Sequence, residues 1–362
     1  MGKSLLMLYI SFAFTCLVAK AQLNTDSKIV NFRMASVDNL IKQEMDKQHI
    51  FGLSLGIIKD GKVIVVKGYG LANIEHNIPA TEQTVYKIGS VSKQMIASAI
   101  LWFVQMNKLK LTDSMPKFFK DAPSTWNKIT VKHLLNHTSG LITESPIIDN
   151  MKEQSDSFLI RSAYNSELLF EPGTSWGYSH LGYFILADII RQISGQSFPD
   201  FMQDHIFKKY GLNSTRTTSV RAIVKNRADG YVYKSSDNIY KATDYIALRP
   251  SGAFMSNIND LVKWEILLQS DKLLSKEAYE EMWKKDSVFN SNQESSSYYG
   301  YGWAVSQHKG LRVVHHDGTL PGFASSYFRF IDSRSAIIIL TNADSVYPNK
   351  ITLQIADLMF NK

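Results

Sequence analysis

The chain has 362 residues and an ordinary globular composition, 44% hydrophobic and 20% charged, enough for one large domain or two. Its formal charge of +7, from 40 basic and 33 acidic residues, is scattered along the chain and is not the clustered footprint of a nucleic-acid binder. With Cys16 as the single cysteine, an intrachain disulfide, an iron–sulfur cluster and a thiolate zinc site are all excluded.

The N-terminus differs from the rest. Lys3 precedes an almost unbroken apolar run from Leu5 to Val18, and Ala19-Lys20-Ala21 has the small-x-small pattern of a cleavage site. Residues 1–21 therefore read as a secretory signal peptide, which predicts a secreted or periplasmic protein with no stable membrane span after cleavage. The rival reading is a retained anchor, but nothing after Ala21 prolongs the run. Cleavage there removes Cys16, Lys3 and Lys20 and leaves 38 basic against 33 acidic residues, with residues 22–362 as the mature domain.

Ile29 to Gln48 has the apolar spacing of an amphipathic helix. Leu53 to Ile58 and Val63 to Tyr69 read as strands joined by Lys59-Asp60-Gly61-Lys62, and Asp-Gly between apolar runs is a strong hairpin signal. Antiparallel pairing this early argues against a doubly wound parallel sheet. Gly52-x-Ser54-x-Gly56 fits a nucleophile elbow in letters only, since that motif needs a helix after it and here a hairpin continues. Ser54 is thus expected to be a strand residue.

The stretch Lys87 to Leu109 has a different character. Met95 to Val104 is apolar on every face but for Ser98, as in a buried helix. Ser90 and Lys93 would lie in its first turn, three residues apart on one side, where backbone N–H groups have no intrahelical acceptor. A serine there can serve as nucleophile, and a desolvated lysine can take its proton. Ser-x-x-Lys alone is weak, because Ser114-x-x-Lys117 and Ser306-x-x-Lys309 match it equally and serine is a common N-cap.

From about 110 to 250 the chain reads as short helices and loops. His133 and His137 stand at i, i+4, but Leu134 replaces the glutamate of a zinc protease, which favours structural histidines. Tyr178-Ser179-His180 follows a Glu-Pro-Gly turn and precedes a helix from Leu181 to Ile193 that ends near Gly195. Ser287 to Ser297 reads as a surface loop. Strands are expected over Gly300–Ser306, Leu311–His315, Ala324–Ile331 and Ala336–Thr341, and a closing helix over Ile351–Phe360.

The order Ser90-x-x-Lys93, Leu134-Leu-x-His137-Thr-Ser-Gly140, Tyr178-Ser179-x, Gly252 near Asp260, Tyr299-Gly-x-Gly-Trp303 and His316-x-Gly318…Pro321-Gly322-Phe323 resembles the serine β-lactamase-related family. The nearest branch holds class C β-lactamases, low-molecular-weight penicillin-binding proteins, D-peptidases and esterases. The resemblance implies an α+β sandwich: an antiparallel sheet flanked by helices, formed by both chain ends, with a mostly helical lobe at about 110–250 inserted between. It implies a serine hydrolase that forms an acyl-enzyme on Ser90, with Lys93 and Tyr178 sharing the general-base work and Lys93 lowering the pKa of Tyr178. The Ser90 and Thr319 N–H groups would form the oxyanion hole, with Gly318 and His180 beside the substrate and His316 in a catalytic place. No cofactor and no metal is implied, and the expected partner is a small-molecule or peptide substrate, cell-wall fragments among the candidates. Alternatives are a slow-acylating penicillin-binding sensor and a β-lactamase. Two residues depart from the family pattern: His316 stands where lysine is usual, and His180 where β-lactamases carry asparagine. Both argue against efficient β-lactam hydrolysis, and a histidine at 316 is expected to titrate near neutrality.

Overall fold

In the computed structural model, residues 34–219, 221–244, 252, 254–285, 287–290 and 297–360 are described; the leader predicted for 1–21 lies outside them. Helix α1 spans 34–48 and buries Val37, Ile41 and Met45, spaced four apart on one face. Strands β1 (Gly52–Lys59) and β2 (Lys62–Asn73) form the expected hairpin. Asp60 and Gly61 both take positive φ, +52° and +75°, as a two-residue primed turn requires. After β3 (Ile78–Pro79) the chain enters α2 (Ser92–Gln105), then α3 (His180–Ser194), α4 (Ile258–Leu268) and α5 (Lys276–Met282). It returns to the sheet through β4 (Ser287–Asn290), β5 (Ser297–Tyr299), β6 (Ala304–His308), β7 (Leu311–Leu320), β8 (Phe323–Phe330) and β9 (Ser335–Thr341), and closes with α6 (Pro348–Phe360).

Among the described residues the main sheet runs β3-β2-β1-β9-β8-β7-β6-β5-β4, and every pairing in it is antiparallel. First and last strands meet inside the sheet, as its third and fourth members, where β1 pairs with β9. β8 and β9 are buried at every residue and β1 at all but Lys59, because both sheet faces are covered. That is why β9 reads as an unbroken apolar run from Ala336 to Leu340. On one face α1 and α6 pack Ile41 and Ile355 against Leu55, Ile337 and Ile339. On the other lie α4 and the helical lobe, with Ile96 and Ile100 of α2, Phe184 of α3 and Trp264 of α4 in one cluster.

α2 is buried from Ser92 through Leu101 and again at Phe103, the all-round burial that its sequence predicts. Its entry is fixed by a small sheet in which Tyr86–Lys87 pairs with Phe254–Ser256, which in turn pairs with Arg216–Thr217. The Ser92 hydroxyl accepts the Phe254 N–H at 3.1 Å. α3 is capped by Ser179, whose hydroxyl accepts the Gly182 N–H at 3.1 Å, and it stops at Gly195 with φ +73°.

Three expectations change. Ser287–Ser297 is not a loop throughout, because β4 and the start of β5 occupy its ends; residues 291–296 lie outside the described set. Gly300–Trp303 is a turn ahead of β6, with Gly302 at φ +72°, so the strand expected from Gly300 begins at Ala304. β7 does not end at His315 but runs on to Leu320. No helix among the described residues is long and apolar enough to cross a membrane.

Candidate active site

The extension of β7 builds the site. β6 covers β7 only as far as His315, which pairs with Ala304. Beyond it, 316–320 keep β8 on one edge and leave the other edge open. Leu320 and Phe323 flank the two-residue Pro321-Gly322 turn and form the hydrogen-bonded end pair of the hairpin. Antiparallel alternation then turns the N–H and C=O groups of Asp317 and Thr319 away from β8, toward the open edge.

Against that edge sits a 3₁₀ turn, Gly89–Val91, with α2 following at once. Both backbones must be bare there. A Cβ on Gly318 would lie 2.1 Å from the Ile88 oxygen, and one on Gly89, whose φ is +53°, would lie 2.8 Å from the Thr319 nitrogen. Ser325 closes the joint by donating its hydroxyl to the Ile88 carbonyl at 2.8 Å. Ser90 thus stands in the turn before α2 rather than in the first turn of α2. Its N–H has no intrahelical acceptor, and Ser90 and Thr319 line the same cleft.

Lys93, in the first turn of α2, is fully buried and places Nζ 3.0 Å from Ser90 Oγ. Burial drives its pKa well below the ordinary lysine range. The ammonium position lies 4.8 Å from the ring centre of Tyr178 and 5.4 Å from that of Tyr183. The two rival motifs look different. Lys117 is 51% exposed and paired with Asp113 at 2.6 Å, and Lys309 is 58% exposed and paired with Asp357 at 2.7 Å. Burial of the lysine separates the three, and the all-apolar run from Met95 to Val104 was its signal in the sequence. Ser54 is a strand residue, donating its hydroxyl to the Thr81 carbonyl at 2.8 Å.

Tyr178, just before α3, hydrogen-bonds the Ser90 side chain, and burial raises its pKa. The expectation that Lys93 lowers it is therefore corrected: burial raises the phenol and also strips charge from the lysine meant to act on it. His180, the first residue of α3, brings Nδ1 within 3.5 Å of Lys93 Nζ and turns its ring edge toward Tyr178. His137, at φ +61°, packs behind Tyr178 with ring centres 4.3 Å apart; its Nδ1 accepts the Ser179 N–H at 3.2 Å, which fixes the neutral ring's proton on Nε2. His133 faces elsewhere, in a capping box with Thr130.

His316 also departs from expectation. Its Nδ1 stands 2.6 Å from the Asp317 carbonyl oxygen and its Nε2 2.8 Å from the Tyr299 hydroxyl. A carbonyl only accepts, so Nδ1 carries the proton, and in the neutral ring Nε2 accepts from Tyr299. Burial, with Lys93 a smaller cause, pushes the His316 pKa down to about 3. It does not titrate near neutrality. Asp317 moves the other way: burial raises its carboxyl to about 6 although Ser326 and Asn349 hydrogen-bond it.

Ser90, Tyr178, His180, His316 and Thr319 line one cleft of about 410 Å³ with Trp176, Tyr299 and Asp317. Lys93 lies behind Ser90, and Gly318 lies under the strand against Ile88 rather than on the wall. Trp176, Tyr299 and Asp317 escaped the sequence reading as wall residues. Tyr299 opens the Tyr-Gly-x-Gly-Trp motif and so carried a signal; Trp176 carried none.

The sequence model of the Beta-lactamase family matches residues 37–358, nearly the whole described chain. The protein belongs to that family. It is 28% identical over 346 residues to penicillin-binding protein 4* of Bacillus subtilis, with 88% of this chain and 75% of the relative covered. To protein flp of Staphylococcus aureus it is 27% identical over 332 residues, covering 90% of this chain but only 66% of that protein, so the chain spans about two-thirds of this longer relative. The fold resembles the octameric penicillin-binding protein homologue from Pyrococcus abyssi with a TM-score of 0.83 and 26% identity, over 91% of this chain and 78% of the other. The Beta-lactamase-family fold is the one expected, an antiparallel sheet from both chain ends around a helical insertion.

Proposed function

We propose that this chain is an exported serine hydrolase that forms an acyl-enzyme on Ser90 and cleaves a small acyl ester or an amide such as a D-amino-acid peptide. Ser90 Oγ attacks the carbonyl carbon and its proton passes to neutral Lys93 Nζ. The tetrahedral oxyanion lies between the Ser90 and Thr319 N–H groups, where losing one such donor typically costs about 2.7–4 kcal/mol. Collapse expels the leaving group, which takes its proton from Lys93 through the Tyr178 hydroxyl. Water then attacks the ester carbonyl of the acyl-enzyme by the same path, releasing the acid and returning the proton to Ser90.

The observation that carries this reading is the fully buried Lys93 amine 3.0 Å from Ser90 Oγ. Tyr178 is left as a neutral phenol that both donates and accepts, a shuttle rather than the primary base. Substrate charge is constrained too. Among the described residues the wall offers no lysine or arginine, and His316 is neutral, so a carboxylate beside the scissile bond meets no fixed cation among them. That favours neutral esters and amides over β-lactams, whose carboxylate needs one. Export rests on the leader at residues 1–21.

The test compares a fluorescent penicillin with p-nitrophenyl acetate on the mature chain, reading turnover and intact mass. Ester turnover with little or no penicillin adduct is expected. Stoichiometric, long-lived penicillin labelling without ester turnover would favour the sensor reading instead.

A further inference from the structure

A second cavity, of about 270 Å³, opens between α4, α5 and the ends of β8 and β9, and shares no wall residue with the cleft beside Ser90. It is built around a buried ion pair: Glu265 of α4 is 1% exposed and Arg329 of β8 is 3% exposed, with Nε 2.7 Å from Oε2. The carboxylate is well met. The Tyr327 hydroxyl donates to the same oxygen at 2.9 Å, and Gln269 Nε2 donates to the other at 2.7 Å. The guanidinium lies over Trp283 at 4.6 Å and beside Trp303 at 5.8 Å.

Four polar atoms of side chains on this wall are buried with no hydrogen-bond partner among the described residues: Arg329 Nη1, Trp283 Nε1, the Tyr279 hydroxyl and Gln269 Oε1. Leaving such groups unmet is expensive, and native structures seldom leave several together. Arg329 Nη1, Trp283 Nε1 and the Tyr279 hydroxyl can donate, and Gln269 Oε1 accepts. The charged wall residues balance, with Glu265, Asp271 and Glu280 against Lys276, Arg329 and Arg334. A lone anion would crowd Glu265, and a lone cation would crowd Arg329. A small molecule with a carboxylate at one end, an ammonium at the other and no net charge satisfies both the atoms and the charges. The volume lies just under the roughly 300–1,000 Å³ typical of small-molecule sites.

We propose that this cavity is a second binding site, taking a small zwitterion of the α-amino-acid type, with its carboxylate on Arg329 Nη1 and Trp283 Nε1 and its ammonium on Gln269 Oε1.

Isothermal titration of the full chain with glycine, L-alanine and D-alanine tests it, with acetate and methylammonium as singly charged probes. At least one amino acid should bind saturably, and both singly charged probes should bind at least about tenfold more weakly. Trp283→Phe keeps a ring against the guanidinium and removes only the N–H; Gln269→Leu removes the acceptor. Each should weaken amino-acid binding about tenfold, with the circular dichroism spectrum unchanged. If Trp283→Phe does not fold, Gln269→Leu decides alone. No saturation by roughly 10 mM, acetate binding as tightly as the amino acid, or affinity unaltered in the folded variants would overturn the proposal.

Discussion

Lys93 shows how much one side chain's surroundings decide. At full burial its amine is driven toward the neutral form, and only that form accepts the Ser90 proton. Arginine, charged at every working pH, keeps a cation there and removes the proposed base. Lys93→Arg should lower kcat by about 10²–10⁴, the usual worth of a positioned general base, in a steady-state ester assay. His316 gives a pH prediction. With its pKa pushed down to about 3, it is neutral across any practical assay range. The acid limb of kcat/KM should therefore keep its position in His316→Gln, whatever happens to the height of the profile; an acid limb displaced by a full pH unit would contradict this. Asp317 gives a stability prediction with the opposite sense. Its carboxyl is raised to about 6, above the unfolded value, so folding favours the protonated form. That stabilisation is present below the unfolded carboxylate range and is lost as pH rises through about 6. Compared with Asp317→Asn, the native chain should lose melting temperature between about pH 4 and pH 7, with the gap widest above pH 6.

Among the elements, the contact between β7 and the 89–91 turn matters most. Its tightness rests on Gly318 and Gly89, neither of which has room for a Cβ. Gly318→Ala must push β7 off the turn and pull the Thr319 N–H away from Ser90. The expected result is a fall in kcat of about 10²–10³, like the loss of one oxyanion donor, with secondary structure retained by circular dichroism. Much at this scale was legible in the sequence. Asp60-Gly61 gave the hairpin, the all-apolar run after Lys93 gave the buried helix, and Gly195 gave the end of α3. The course of β7 was not legible. Polar letters at 316–319 look like a strand end, because nothing local shows that β8 continues alongside while β6 stops. β4 and β5 were missed for a related reason: at the sheet's edge, strand pairing needs no apolar run.

Across the whole molecule, the sheet brings the two chain ends together while the insertion supplies Tyr178 and His180, so the cleft is assembled from residues more than two hundred positions apart. Motif order made that assembly legible. Pairs without a motif stayed hidden: Glu265 with Arg329, Trp264 with Gln94, Asp317 with Asn349. Glu265→Gln would leave Arg329 buried without its counter-charge and should destabilise the fold by about 3–5 kcal/mol in urea unfolding. The central claim is that Ser90 carries the acyl group. The direct measurement is peptide mapping by mass spectrometry after a fluorophosphonate or a slow ester substrate is trapped on the mature chain, run beside Ser90→Ala. The adduct should fall on the peptide holding Ser90, vanish in the variant and take ester hydrolysis with it. An adduct on the peptide of Ser54, Ser114 or Ser306, or wild-type turnover in Ser90→Ala, would contradict the account.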